Sequence, residues 1–323
     1  MRDEAFIALL DDIESDRVER KESVADGDKI RQAICAFAND LPDHKQPGVL
    51  FIGVNDAGHD APADIQPLRD VDVKELDQTM FKEFYLPAAV SPEILAENSR
   101  TTEEQMASLR LIDPGPPSVP TVLGVLILSK KPSWCLPGAY VSFLRLAGEQ
   151  LGSDVISSHD IQGPLPRIMS QIDELLKLHI MTSVDITSGD KERRVPDYPL
   201  AALQQIVRNA IMHRSYEGTN APVRIYWYSD RIEVISPGGP YGHVTKENFG
   251  RAGVNDYRNP NLAEAMRHLG YAQHFGVGIQ IARETLARNG NPPIEFKFDL
   301  GPVMAIIRKK ERSSRTKRFK DMK

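Results

Sequence analysis

Glu14, Glu19, Lys21 and Asp56 are of the residue types that metal-assisted phosphodiester chemistry requires. Three of the four fall in ESDRVERKES, residues 14–23. The preceding EAFIALLDDI has helical spacing of apolar residues and places Glu14 at a helix end. RVERKES reads as a short strand, so Glu19 and Lys21, two residues apart, are expected on one face. Asp56 follows VLFIGV, an apolar run expected as a buried strand that enters the turn NDAG and could pair beside the first strand. Three carboxylates brought together there could hold one or two hard divalent cations, Mg²⁺ or Mn²⁺. Lys21 would then stabilise developing charge or position the nucleophile. The same residue types also make cross-strand pairs and hairpin turns, so the chemistry depends on their convergence.

A second constellation lies in YPLAALQQIVRNAIMHRSY. Leu203, Ile206, Val207 and Ala210 form an inward helix face, which puts Gln205, Asn209 and His213 in a row at i, i+4 and i+8 on another. By itself such a row is expected to be a solvated face. Two glycine-bearing turns follow, SPGGPYG and HFGVGIQIARE, the second opening a helix whose free amides suit a phosphate.

The elements that must carry these residues divide in two. The first unit has the strand RVERKES, the helix KIRQAICAFAND, the strand VLFIGV, a helix over VDVKELDQTMFKEF, and strands SLRLID, TVLGVLILSK and AYVSFLRL. SHDIQGPLPRIMSQIDELLKLHI reads as a connecting helix. The second unit has VDIT, the helix of Asn209, the hairpin VRIYWYSDRIEVIS, helices NLAEAMRHLG and GVGIQIARETLARNG, and strands IEFKFDL and VMAIIRKK. The expected organisation is α+β: a first domain over 1–158, a connector over 159–196, a second domain over 197–310 and a basic tail over 311–323.

With 323 residues, 41% hydrophobic and 26% charged, the chain can bury two cores, and its apolar runs are too short to span a bilayer. The N-terminus is too acidic for a secretory signal, so a cytoplasmic protein without membrane contact is expected. Cys35 and Cys135 have no CxxC or His cluster near them and are expected as buried thiols. The net charge of −5 conceals nine Lys or Arg between Arg308 and Lys323 against Glu311 and Asp321, a segment able to touch phosphates.

Glu14, Glu19 with Lys21, AFAN at 36–39, FIGV at 51–54 and Asp56, in that order, resemble the Schlafen-type AlbA-like domain. GPLPRI at 163–168 also looks like a later part of that architecture, while NDLPDHKQPG stands where the family has a short glycine turn. NAIMHRSY, YSDRIEVISPGG, RNPNLAEAMRHLG and GVGIQIARE resemble the divergent GHKL-type ATP-binding domain, an α/β sandwich. That resemblance implies that Asn209 coordinates Mg²⁺ bridging the ATP phosphates, that Gly276 and Gly278 lie in the phosphate lid, and that Pro237 and Gly238 lie near the base. It makes His213, Arg214 and Arg258 candidate polar contacts to nucleotide or to a neighbouring subunit. Two departures are visible. Gln205 stands where the family places a glutamate and cannot take a proton from water, which argues against ATP hydrolysis, and Ser236 stands where Asn is usual.

The two resemblances together imply a divalent-metal-dependent endonuclease acting on RNA, tRNA among the candidates, or on DNA. ATP or another nucleotide would gate or assemble it as a homo-oligomer, in a role such as phage defence. The alternative is a non-catalytic nucleic-acid-binding transcriptional regulator; a third possibility, a working ATPase subunit of a larger complex, is what Gln205 speaks against.

Overall fold

TVLGVLILSK, expected as a strand, is a helix over Val122–Leu128 in the computed structural model of the chain. A run of seven apolar residues buried on all sides satisfies either geometry, and periodicity cannot separate them. Two local contacts settle it. Thr121 accepts the Gly124 N–H at 3.0 Å, an N-cap, and donates its hydroxyl to the Arg110 carbonyl at 2.7 Å. Gly124 then lets the Leu111 carbonyl approach to where a Cβ would stand, 1.9 Å away. Gly124→Ala is therefore expected to destabilise the first unit by about 2–3 kcal/mol, because backbone rather than a flexible side chain would have to give way. Thermal unfolding checks this, and an unchanged midpoint would show that the contact relaxes freely.

The structure describes residues 18–21, 27–39, 48–52, 62–185, 193–251, 253–254, 256–272, 276–298 and 301–310. They form two compact units, the first covering Met1–Lys130 with Asn259–Leu262, the second Lys131–Arg258 with Ala263–Lys323.

In the first unit β1 (Val18–Lys21), α1 (Gly27–Asn39) and β2 (Val49–Ile52) appear where the sequence predicts them. β1 and β2 run parallel, with Glu19 opposite Leu50 and Lys21 opposite Ile52. The helix expected over VDVKELDQTMFKEF is broken. A 3₁₀ turn at Val73–Glu75 precedes Asp77, which caps Met80 N at 3.0 Å, and the helical stretch then continues through a π turn at Phe81–Tyr85. The core gathers Phe81 and Tyr85 with Met106 from α2 (Thr102–Ser108), Leu111, Ile112 from the short pair β3 (Ile112–Asp113) and β4 (Val119–Pro120), and all of α3 (Val122–Leu128). Asp64 is fully buried and accepts from Asn261 Nδ2 at 3.0 Å and Leu262 N at 2.7 Å. Burial raises its pKa, and these hydrogen bonds work in the opposite direction. Cys35 is exposed on α1, and Cys135, in the second unit, is only half-buried, against the expectation of buried thiols.

The second unit is built on a six-stranded mixed sheet. Its strands are β5 (Val141–Leu146), β6 (Val155–Ile161), β9 (Val223–Trp227), β10 (Arg231–Ser236), β11 (Glu295–Lys297) and β12 (Val303–Arg308), in the order β11-β12-β10-β9-β5-β6. β5 and β9 are parallel and every other pair is antiparallel. β7 (Thr182–Asp185) and β8 (Arg193–Pro196) form a separate hairpin. β5 and β6, read in sequence as the end of the first domain and the start of the connector, thus pair within this sheet. The inward residues explain it: Val141 and Phe143 on β5 are buried beside Val223, Ile225 and Trp227 on β9. β6 hid in the sequence because it is largely exposed and its middle, SSHD, is polar, so the connecting helix α4 begins only at Leu165 and runs to His179. α5 (Leu200–Met212) packs on β10, on α4 and on α7 (Gly278–Asn289), while α6 spans Pro260–His268. The fold is α+β, and among the described residues no helix is long and apolar enough to cross a membrane.

Candidate functional site

A cavity opens in the second unit between α5, the end of β10, the segment 238–257 and the start of α7. The 3.6-residue period of α5 fixes its wall. Ala202, Leu203, Ile206, Val207, Ala210 and Ile211 are buried, and that turns Gln205, Asn209 and His213 along the cavity together. Across from them α7 begins. A Cβ on Gly278 would stand 2.9 Å from Gln205 Oε1, so the first turn of α7 lies directly against the Gln205 amide on α5. Gly276, at φ +59°, shapes the approach, and the first-turn amides of α7 have no partners within the helix. Among the described residues the Asn209 side chain has no hydrogen bond, which leaves its amide to the cavity.

Gly238 also lines the cavity. At φ +99°, with a would-be Cβ 3.1 Å from Ser215 Cβ and 3.2 Å from Ser215 N, the position requires glycine. Ser236 is used internally, donating Oγ to the Ala210 carbonyl at 2.7 Å and so fixing β10 to α5. Three expected contacts lie off the wall. Pro237 presents its carbonyl to Ser215 N at 2.8 Å. Arg214 is buried, donating Nη2 to the carbonyl of Ala221 at 2.8 Å. Arg258 lies 4.8 Å from the ring centre of Tyr241 and donates Nη2 to Gly239 O at 3.3 Å, behind the lining residues Tyr241 and Gly239.

Tyr241, Phe249, Arg251, Asp256, Tyr257 and Arg267 complete much of the wall, and none was singled out from sequence. The loop that carries most of them is held by local polar contacts. Asn248 accepts Thr245 N at 2.6 Å and donates to His243 O at 3.0 Å; Asp256 accepts His243 N at 3.0 Å and Tyr257 N at 2.8 Å. A Cβ on Gly242 would collide with the Asp256 carboxylate. Gly, Asn and Asp in PYGHVTKENFGRAGVND are turn-forming types, and that was the available signal.

His213 stacks on Tyr257, ring centres 5.4 Å apart. Burial first, then the nearby Arg258 charge, pushes its pKa down to about 4 from the ordinary 6.5, with Asp256 opposing. The imidazole is therefore neutral at pH 7. A depressed folded-state pKa contributes stability that is present above pH 6.5 and lost as pH falls toward 4. We expect this group to cost about 2 kcal/mol of stability between pH 7 and pH 5, and His213→Gln to flatten that part of the profile in urea unfolding. His179, also held low by burial and by Arg145, keeps a residual slope in the variant.

In the first unit Glu19 is half-buried on β1, and the Lys21 backbone stands in register with Ile52 at the strand end from which the chain runs on to Asp56. Glu14 and Asp56 lie outside the described residues. Among the described residues no group of three or more His, Cys, Asp or Glu could hold a metal ion.

Residues 14–127 match the family model "Schlafen, AlbA_2", and residues 220–307 match the model "Putative ATP-dependent DNA helicase recG C-terminal". The chain thus carries, in order, a segment similar to the Schlafen AlbA_2 model and a segment similar to that ATPase-like model. The ATPase-like domain points to nucleotide binding, and the two together point to a nucleic-acid-related function. No curated protein matches the chain. Among solved structures, the DIP2311 protein from Corynebacterium diphtheriae is similar, with a TM-score of 0.53 and 18% identity over 76% of this chain and 46% of that one. It shows a shared fold, and this chain spans less than half of that protein's length.

Proposed function

We propose that the chain is a nucleotide-responsive, metal-dependent nuclease. In this reading ATP or another nucleotide occupies the cavity of the ATPase-like domain, and the AlbA_2 domain cuts RNA or DNA at Glu14, Glu19, Lys21 and Asp56. The nucleotide half is carried by one observation: Gln205, Asn209 and His213 share a cavity wall with Gly238, Gly276 and the glycine that opens α7. The nuclease half is supported by the parallel pairing of β1 with β2, which puts Glu19 and Lys21 on a strand beside the one that leads to Asp56. Bound there, Mg²⁺ or Mn²⁺ would supply Lewis acidity and a more acidic water. Lys21 would provide a fixed positive charge against the phosphate. Gln205, an amide, accepts no proton from water, so the nucleotide acts in this reading by being bound. Phage defence is a role in which a nuclease held in check by a nucleotide state would serve.

The test uses the full-length protein with tRNA, single-stranded DNA and duplex DNA, each with Mg²⁺ or Mn²⁺ and with or without ATP. Metal-dependent cleavage whose rate changes with ATP supports the proposal. Retardation without cleavage under all conditions refutes the nuclease and leaves a nucleic-acid-binding regulator. Asn209→Ala is expected to weaken ATP binding at least about tenfold by calorimetry, the loss of a hydrogen bond to a charged group; equal affinity would remove Asn209 from the site.

A further inference from the structure

We infer that the cavity neutralises the phosphates of its nucleotide with two arginines, Arg251 and Arg267, and that binding needs no magnesium ion held by the protein. The inference rests on reading the second unit as a nucleotide site. Among the described residues the charged side chains on the cavity wall are Arg208, Arg251, Arg267 and Asp256. Arg208 is committed to Asp173 at 2.8 Å. Both Asp256 oxygens accept backbone N–H groups, from His243 and Tyr257. Among the described residues neither the Arg251 nor the Arg267 guanidinium has an ion pair or a hydrogen bond, so the wall sets two unpaired guanidinium charges against the single carboxylate of Asp256.

Position agrees with charge. Gly250 is packed against the first turn of α7: a Cβ there would lie 3.0 Å from Ile279 Cγ2, and Arg283 donates Nη1 to the Gly250 carbonyl. Arg251 follows directly, beside the helix N-terminus whose amides and dipole favour the same negative ligand. Arg267 stands in the last turn of α6 and reaches the wall with Tyr271 and Ala272. Against this, the described wall offers a protein-held magnesium only the neutral amides of Gln205 and Asn209 and one carboxylate, Asp256, whose two oxygens already accept backbone N–H groups, where Mg²⁺ sites ordinarily use one or two carboxylates free to bind. The residues therefore fit a phosphate chain better than they fit the metal that the ATPase-like family implies. A guanidinium fork takes two phosphate oxygens at once, and the Asn209 amide can donate to a third.

Calorimetry on the full-length protein tests this with ATP, ADP and AMP, each in Mg²⁺ and in excess EDTA. We expect ATP affinity to change by less than about threefold on removing the metal. Arg251→Ala and Arg267→Ala should each weaken ATP about tenfold and AMP much less, the loss growing with the number of phosphates. Arg→Lys at either site should recover only part, since lysine lacks the fork. ATP binding that requires Mg²⁺, or that survives unchanged in the double alanine variant, overturns the arginine assignment while leaving the nucleotide site standing. No binding of any of the three nucleotides under either condition overturns the site and the inference together.

Discussion

Glu19→Gln is expected to lower metal-dependent cleavage at least about a hundredfold while leaving retardation of the same nucleic acid within about twofold. The change keeps the length, the shape and one carbonyl oxygen of the side chain, so packing beside the buried Val18 on β1 is conserved. What disappears is the negative charge, and hard cations are held by charge more than by shape. β1 and β2 are joined by backbone register from Val18 opposite Val49 to Lys21 opposite Ile52, which a side-chain amide does not disturb. The loss should therefore fall on rate and not on fold. Single-turnover cleavage with thermal unfolding of the same preparation separates the two. Lys21→Met is the companion variant, expected to slow cleavage with the metal requirement retained. Cleavage by Glu19→Gln at the wild-type rate would end the assignment, because the remaining acids would then not need this one.

The parts of the molecule that could be read from sequence are those whose reason for existing is local. α5 was legible because its six buried residues and its Gln205, Asn209 and His213 row both follow one helical period. The β9–β10 hairpin was legible because YSD separates two alternating runs. α3 failed for want of a polar face: its capping Thr121 was present in the sequence, but seven apolar residues without alternation outweighed it. β5 failed differently. Its strand was found, and its place was not, since parallel pairing with β9 joins Val141 to Val223 and no local feature announces so distant a partner. The same division runs through the candidate site. Gly238, Gly276 and Gly278 stand out through the resemblance and the glycine-bearing turns that carry it, and the positive φ of Gly238 and Gly276 is a physical reason for glycine there. The wall from Tyr241 to Tyr257 could not, because Asn248 and Asp256 hold it with hydrogen bonds that any turn might use.

Arg214 is held inside the second unit, and its replacement carries the largest expected effect on stability. It follows His213 directly and was read as a candidate ligand contact, yet only 2% of it is exposed. Nε and Nη2 donate to the Ala221 carbonyl at 3.3 and 2.8 Å, Nη2 reaches the Thr219 carbonyl at 3.4 Å, and the guanidinium carbon lies 4.6 Å from the ring centre of Tyr216. Burial pulls its pKa below the ordinary arginine value, so the charge is held at a cost that these carbonyls offset. Arg214→Ala strands two carbonyls and opens a void where a large side chain stood, and we expect about 3–5 kcal/mol of lost stability. For a unit of this size that lowers the unfolding midpoint by roughly 10 °C. Arg214→Lys should recover less than half, because one ammonium cannot reproduce the fork. Gly138 provides an independent check from the other side. At φ +85° its would-be Cβ falls close to Arg214 Nη2 and 2.5 Å from the Asn220 carbonyl, so Gly138→Ala should move the midpoint in the same direction. Arg214→Ala unfolding within about 1 kcal/mol of wild type would mean that the loop closes over the gap, and would return this arginine to the surface as a candidate for binding.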